Sequence, residues 1–378
     1  MRDRIENILA FTQQLVEIPS QNGIDSEAAI AQAVLDRLQA DGFSPQLIGS
    51  DDHPSVICRI EKPGATRHLW LESCLDTVPA GTEDNWDHPP LAATAVGERL
   101  YGRGVADAKL AIALFCELAG DLHADPDVPV SLFLGFDADE QSGRFTGIRD
   151  VMQQAPVADA CILGYQGIDE ISIGARGWLR LKLTVRGQAA HTGDPAGQGV
   201  NAVHAMAQII TGITALEIGQ ARTDFFEFGS ALNVSQISGG VAINMVPDHC
   251  EALLDIRLIP DQNPDQVVAQ IHQVGKVAGA DYTIDILQQE QAYLTDPQEP
   301  FVRLLHDTAC RILPEPISLV ASGQGSVGNV VSQLGIPIIN AFGAACGNAH
   351  APNEWIDTTT VEPVYQIYRQ SIANFAAH

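Results

Sequence analysis

Positive charge is scarce in this chain: 378 residues carry 21 Lys and Arg against 47 Asp and Glu, a formal net charge of −26. With so few cations, no basic patch is available to displace the counterions of a nucleic acid, and an anionic membrane surface has little to attract. Long apolar runs are missing too, and none approaches the ~18 residues that a membrane span takes. The first twenty residues, MRDRIENILAFTQQLVEIPS, mix charge into a helical pattern and lack the apolar stretch of a secretory signal. No two cysteines are spaced as CxxC, and seven is an odd number, so a disulfide framework is not written here. A reducing cytoplasm is the expected setting. Internal repeats and low-complexity tracts are absent. What the chain has is apolar bulk, 46% of residues against 18% charged, enough to bury a core in two or three domain-sized units. The acid excess is either plain surface charge or a sign of a carboxylate-rich centre, and composition does not separate the two.

Helix and strand patterns alternate along the first half. Helical spacing covers 3–17 and 26–40, strand runs cover 55–61 and 68–73, a helix follows over 107–121, then strands over 129–136 and 159–163. Towards the end come a helix at 299–312, a strand near 316–321, a helix at 326–334, a strand at 336–342 and a helix at 360–376. Such alternation predicts an α/β domain, a mostly parallel sheet covered by helices on both faces. The middle has another rhythm: strand 178–187, helix 200–216, strands 230–238 and 249–258, helix 264–278 and strand 282–287. That β-α-β-β-α-β order is a complete ferredoxin-like α+β unit. The expected division is therefore an α/β domain over 1–176 and 289–378, with 177–288 inserted into it.

Ligands of open α/β sheets collect beyond the carboxyl ends of the strands, so the residues there are the ones to read. After strand 68–73 come Cys74 and Asp76; after 129–136 come Asp137, Asp139, Glu140 and Gln141; after 159–163 come Gly164, Tyr165 and Gln166. Strand 336–342 runs into GAACGNAHAPNEW, with Cys346, His350 and Glu354, and the GRGVADAK loop brings Asp107 to the start of a helix. Each has a plainer role: Asp107 as a helix cap, Asp139-Glu140 as a solvated turn, His350 as a loop histidine. Their concentration at one edge is what points to a site. Two other signals carry less. Gly323-Gln-Gly-Ser-Val-Gly328 matches a dinucleotide glycine loop, yet no acid follows the next strand to hold a ribose. Ser326 lacks the first glycine of a nucleophile elbow and finds no triad partners in chain order.

Six motifs in order, CLDTVPAG, LYGRGVADAK, DADEQSG, GQAAHTGDP, NMVPDHCEALLDIR and NAHAPNEW, resemble the zinc aminoacylase and carboxypeptidase family. That family includes carboxypeptidase G, acetylornithine deacetylase, succinyl-diaminopimelate desuccinylase and the tripeptide aminopeptidases. The resemblance runs over essentially the whole chain and makes the inserted domain a lid that pairs two subunits into a homodimer. It implies a cleft in which two metal ions share a bridging carboxylate, polarise an amide carbonyl and activate a water, with a Glu moving the proton. On this chain the bridging Asp falls on Asp107, the catalytic Glu on Glu140 and the late metal His on His350. The Asp that orients a metal-bound His falls on Asp76. The lid His that stabilises the oxyanion in the partner's site falls on His191, the lid Asn on Asn244 and the substrate-side Arg on Arg257.

The departures from the family pattern are specific. The first metal His is Cys74, one metal carboxylate is the amide Gln141, and another is the phenol Tyr165. A neutral amide and a protonated phenol are poor zinc ligands, whereas a thiolate is a good one. A full two-zinc centre is therefore not expected; one zinc or other divalent metal on Asp107 and His350 with Cys74, or no metal, are both left open. The resemblance then implies an amidohydrolase acting on an N-acylated amino acid or small peptide-like substrate, with Glu140 as general acid and base. A variant makes Cys74 a nucleophile with His350 or Glu140 as its base. The alternative is a relative that binds a ligand or partner without catalysis, or that performs condensation or cyclisation.

Overall fold

The computed structural model describes residues 2–193, 199–216, 218, 222–227 and 229–377. Of the six motifs, only Asp194-Pro195 at the end of GQAAHTGDP fall outside these. The chain divides into two compact units, one made of Met1–Gly174, Thr295–Val320 and Ser326–His378, the other of Ala175–Leu294 and Ala321–Gly325.

The first unit begins with helices α1 (Arg2–Glu17) and α2 (Ala28–Ala40), then strands β1 (Gln46–Gly49), β2 (Pro54–Ile60) and β3 (Arg67–Cys74). Helix α3 (Leu110–Ala124), β4 (Val130–Asp137), α4 (Thr146–Gln154) and β5 (Ala160–Leu163) follow. Every residue of β4 and β5 is buried, the continuous apolar run that a strand covered on both faces requires. Helix α3 earns its place in the interior by composition: LAIALFCELAGDLHA buries nine of its side chains, including Phe115 and Cys116.

In the second unit, β6 (Gly177–Arg186), α5 (Ala202–Thr214), β7 (Ala231–Gly239), β8 (His249–Leu258), α6 (Pro264–Val277) and β9 (Asp281–Glu290) form an antiparallel sheet in the order β7-β8-β6-β9. Burial along β8 alternates from residue to residue, so one face of the sheet packs on α5 and α6. Both helices start on an asparagine whose side chain caps the first turn, Asn201 taking the His204 N–H and Asn263 the Asp265 N–H.

The chain returns to the first unit through α7 (Pro300–Ile312), β10 (Ile338–Ile339) and α8 (Val361–Ala376). Its main sheet has the order β1-β2-β4-β3-β5-β10. Strands β3, β4, β5 and β10 are parallel, and β1 and β2 make an antiparallel margin. The carboxyl ends of the parallel strands therefore share one edge, and Cys74 on β3 lies in register with Asp137 on β4.

Several expected elements are shorter than their patterns. The strand expected over 336–342 is only Ile338–Ile339, because Asn340 leaves the ladder and bonds Ser172 and Ser326. The helix expected at 326–334 is a four-residue turn, Gly328–Val331, followed by a tighter turn over Ser332–Leu334. Helix α4, strand β1 and a small sheet of Thr94–Val96, Arg99–Tyr101, Cys346–Gly347 and Trp355–Asp357 were not visible in the patterns. Among the described residues, no helix is long and apolar enough to cross a membrane.

Candidate active site

Asp107 does not cap a helix. It sits in an irregular turn with φ −121° and ψ 88°, and α3 starts three residues later. One loop grips this turn at two points. His350 Nε2 is 2.7 Å from Asp107 Oδ2. Four residues on, the buried Glu354 carboxylate takes Arg103 Nη1 at 2.6 Å and the N–H groups of Gly104, Ala106 and Asp107 at 3.0, 2.9 and 3.2 Å. Gly104 makes the close approach feasible: at φ +81°, a Cβ there would meet Thr77 Cγ2 at 2.4 Å. Beneath the turn, Lys109 is fully buried and donates to the carbonyls of Leu15 and Ile18, and burial lowers its ammonium to about 7.

Asp76 is placed by the end of β3, and its work differs from that of an aspartate behind a histidine. Its Oδ1 accepts the N–H of Glu140 at 3.0 Å and its Oδ2 accepts the N–H of Gln141 at 2.9 Å. The same Oδ2 takes the amide of Asn22 at 2.9 Å, and that amide also reaches Asp139 Oδ1 at 3.1 Å. Glu140 is thus held by its backbone, and its carboxyl Oε1 accepts the Tyr165 hydroxyl at 3.0 Å. Burial, then the neighbouring Asp107 and Asp76, push Glu140 well above the usual carboxylate range. Burial and Glu140 raise the Tyr165 phenol as well. Cys74 is 1% exposed, and burial with Glu140 and Asp107 nearby raises its thiol far from the thiolate form that a nucleophile or ligand needs.

Cys74, Asp76, Asp107, Glu140, Gln141, Tyr165 and His350 all lie in the first unit, around this edge. His191, Asn244 and Arg257 lie in the second. His191 bridges to Met245 and Asn244 O accepts the Thr192 N–H at 3.3 Å, so those two lie side by side on neighbouring exposed segments. Arg257 is near the other end of β8, eight residues and roughly 27 Å of strand from His249. Its guanidinium is fixed by Asp255 at 2.6 Å. One chain therefore does not bring His191 and Asn244 to Arg257.

Residues missed by the motif reading include Asn22, whose SQNGID context reads only as a turn, and Arg176, which donates to the carbonyls of Gly323 and Gly229 beside Arg257. Behind the edge, Glu72 and Asp137 form a buried acid pair, with Trp70 Nε1 donating to Glu72 Oε2 at 2.6 Å. Gly135 leaves the space for that carboxyl, since a Cβ there would stand 2.1 Å from it.

The peptidase dimerisation domain family matches residues 173–283. A succinyl-diaminopimelate desuccinylase of Bordetella parapertussis is 28% identical over 380 residues, covering 97% of both chains. Its likeness spans the first unit as well as the inserted one. The family model covers little beyond the second unit, so over the first unit the sequence likeness is the one to the desuccinylase. Among solved structures, this chain superposes on the aminopeptidase PepT of Bacillus cereus with a TM-score of 0.81 at 20% identity, covering 99% of each. An M20 metallo-carboxypeptidase of Sulfolobus solfataricus gives 0.80 at 19%, covering 98% of this chain and 99% of that one. These likenesses establish the fold, an α/β domain with an inserted dimerisation domain.

The metallo-carboxypeptidase raises the question of metal, and the donors decide how far it applies. Asp107 Oδ1 is buried without a hydrogen-bond partner, which leaves one oxygen free, but its Oδ2 and His350 Nε2 are spent on each other. The remaining positions offer a protonated thiol, an amide and a phenol that donates to Glu140. Among the described residues, no group of three or more His, Cys, Asp and Glu is arranged to hold a metal ion. A catalytic zinc takes three protein ligands, and Asp107 with His350 supplies two. The residues present do not fit a two-metal centre.

Proposed function

We propose that this chain is an amidohydrolase of the M20 peptidase kind that cleaves an N-acylated amino acid or small peptide-like substrate, with Glu140 moving the protons at a centre other than the two-metal one. The observation that carries the reading is how Glu140 is held: a buried carboxyl fixed by Asp76 through the N–H groups of residues 140 and 141, and bonded to the Tyr165 hydroxyl. In the reaction Glu140 accepts a proton from the attacking water and returns it to the leaving nitrogen. Tyr165 and the imidazole of His350 can stabilise a developing oxyanion only by leaving their present partners, Glu140 and Asp107. Cys74 has no part as a thiolate, since its surroundings are acidic and dry. Arg257 and Asn244 offer a cation and an amide to one substrate only from different chains, since one chain does not bring them together. A homodimer through the second unit is supported by β7, an edge strand, and by the exposed Ile237, Val241, Ile243 and Met245 on and after it.

The test is turnover of N-succinyl-diaminopimelate, other N-acyl amino acids and dipeptides, with and without added zinc, cobalt or manganese, beside elemental analysis of the protein. Glu140→Gln should lower kcat by about 10²–10⁴-fold with the fold intact. The acidic limb of the pH profile should lie above the usual carboxylate range, because the base form of Glu140 appears only above its raised pKa. Two metal ions per chain would sink the altered-centre reading. The second reading, a relative that binds without hydrolysis, is favoured by the change of donor type at Cys74, Gln141 and Tyr165, and it prevails if no member of the panel turns over.

A further inference from the structure

The segment Ser20–Asn22, between α1 and α2, runs alongside residues 75–80. Ser20 Oγ donates to Leu75 O at 2.9 Å, Thr77 N to Ser20 O at 2.9 Å, Asn22 N to Thr77 O at 2.8 Å and Ala80 N to Gln21 Oε1 at 2.7 Å. These bonds fix the backbone of Asn22 and aim its amide at two carboxylates, Asp76 at 2.9 Å and Asp139 at 3.1 Å. Asp139 stands at φ +58°, and its other oxygen takes the Thr146 hydroxyl at 2.6 Å. Arg144 is 3.9 Å from Asp139 with 70% of its side chain exposed, an interaction that water screens, and the buried Lys109 ammonium, whose charge Asp76 feels, donates its bonds to the Leu15 and Ile18 carbonyls. Two carboxylates converging away from water repel, and a neutral group with two N–H bonds relieves that without adding charge.

We propose that Asn22 is a positioning residue: its amide holds Asp76 and Asp139 together and so fixes the Glu140–Gln141 backbone that Asp76 grips. The proposal rests on the hydrolase reading for its effect on rate, while its geometric half is measurable without turnover. Amide hydrogen exchange on the full chain compares wild type with Asn22→Ala and Asn22→Asp. The N–H groups of Glu140 and Gln141 should exchange at least ~10-fold faster in Asn22→Ala. They should exchange faster still in Asn22→Asp, which places a third carboxylate in the same space, while β6 and β8 keep their protection. On any substrate the panel yields, kcat should fall with KM within about twofold, as expected when a proton-transfer group is misplaced and binding is not. Unchanged exchange at residues 140 and 141 in both variants overturns the proposal. So does an acceleration spread evenly over the first unit, which would make Asn22 a stability residue only. A wild type that turns over nothing would overturn the hydrolase reading and leave the exchange result to decide the role of Asn22.

Discussion

The second unit buries Leu179, Leu181, Leu183, Met206, Ile209, Leu254 and Ile256 against one another, and its buried charge among the described residues is Glu290 alone. The layer at the strand ends of the first unit buries Glu72, Asp76, Arg103, Asp107, Lys109, Asp137, Asp139, Glu140 and Glu354, most of them within a few positions of the buried Leu71, Ile112 or Phe136. One interior is held by area removed from water, at about 25 cal/mol per Å², and tolerates swaps of similar volume. The other is held by partners, and each charge in it depends on its neighbour staying in place. The difference teaches where this chain keeps its buried titratable groups: the costly layer is the one at the carboxyl ends of the parallel strands.

That contrast can be broken by substitution. The largest effect should come from Glu354→Ala, which strands the Arg103 guanidinium and three backbone N–H groups in a buried loop. A loss of about 3–5 kcal/mol in urea unfolding is expected; a loss below about 1 kcal/mol would mean that the polar layer is no more demanding than a surface. Next comes Ile256→Ala in β8, a fully buried side chain whose truncation should cost about 3 kcal/mol in the same experiment. An Ile256→Ala loss well above that of Glu354→Ala would reverse the ranking of the two interiors.

The smallest effect is the most diagnostic. Burial raises the Glu72 carboxyl from 4.5 to about 8, against a favourable bond from Trp70. The folded state then holds a proton that the unfolded chain releases, so Glu72 costs nothing below pH 4.5 and progressively more as pH rises towards about 8. Glu72→Gln should flatten that fall, with little change at pH 4 and a gain of roughly 1–3 kcal/mol at pH 8. Parallel stability curves for the two proteins would show that the Glu72–Asp137 pair is not proton-linked to folding.

The alternation of helix and strand patterns was enough for the fold class, since a strand buried on both faces must be apolar throughout and a crossover helix must follow it. Irregular stretches were less legible. Nothing in GRGVADAK says that Asp107 lies in a turn rather than at a helix start, because the groups that hold it there come from Glu354, some 250 positions away in the chain. Likewise PIINAF reads as a strand until Asn340 finds Ser172 and Ser326. The ordered motifs pointed to Asp76, Asp107, Glu140 and His350, and the structure gathers them at one edge. Arrangement within the edge was out of reach of spacing: Asp76 grips a backbone where an aspartate behind a histidine was expected, and Asn22 carried no signal beyond a turn.

By itself the sequence determined the layers, the parallel edge and the residue types that line it, including the thiol of Cys74, the amide of Gln141 and the phenol of Tyr165. Those are properties of composition and period, which local chemistry writes directly. The tertiary structure alone decided who is bonded to whom. His350 is spent on Asp107, Tyr165 on Glu140, and Asp76 on the turn that carries Glu140. Hydrogen bonds between residues 25 to 243 positions apart depend on the direction of each side chain once the sheet has closed, and no spacing along the chain encodes that direction.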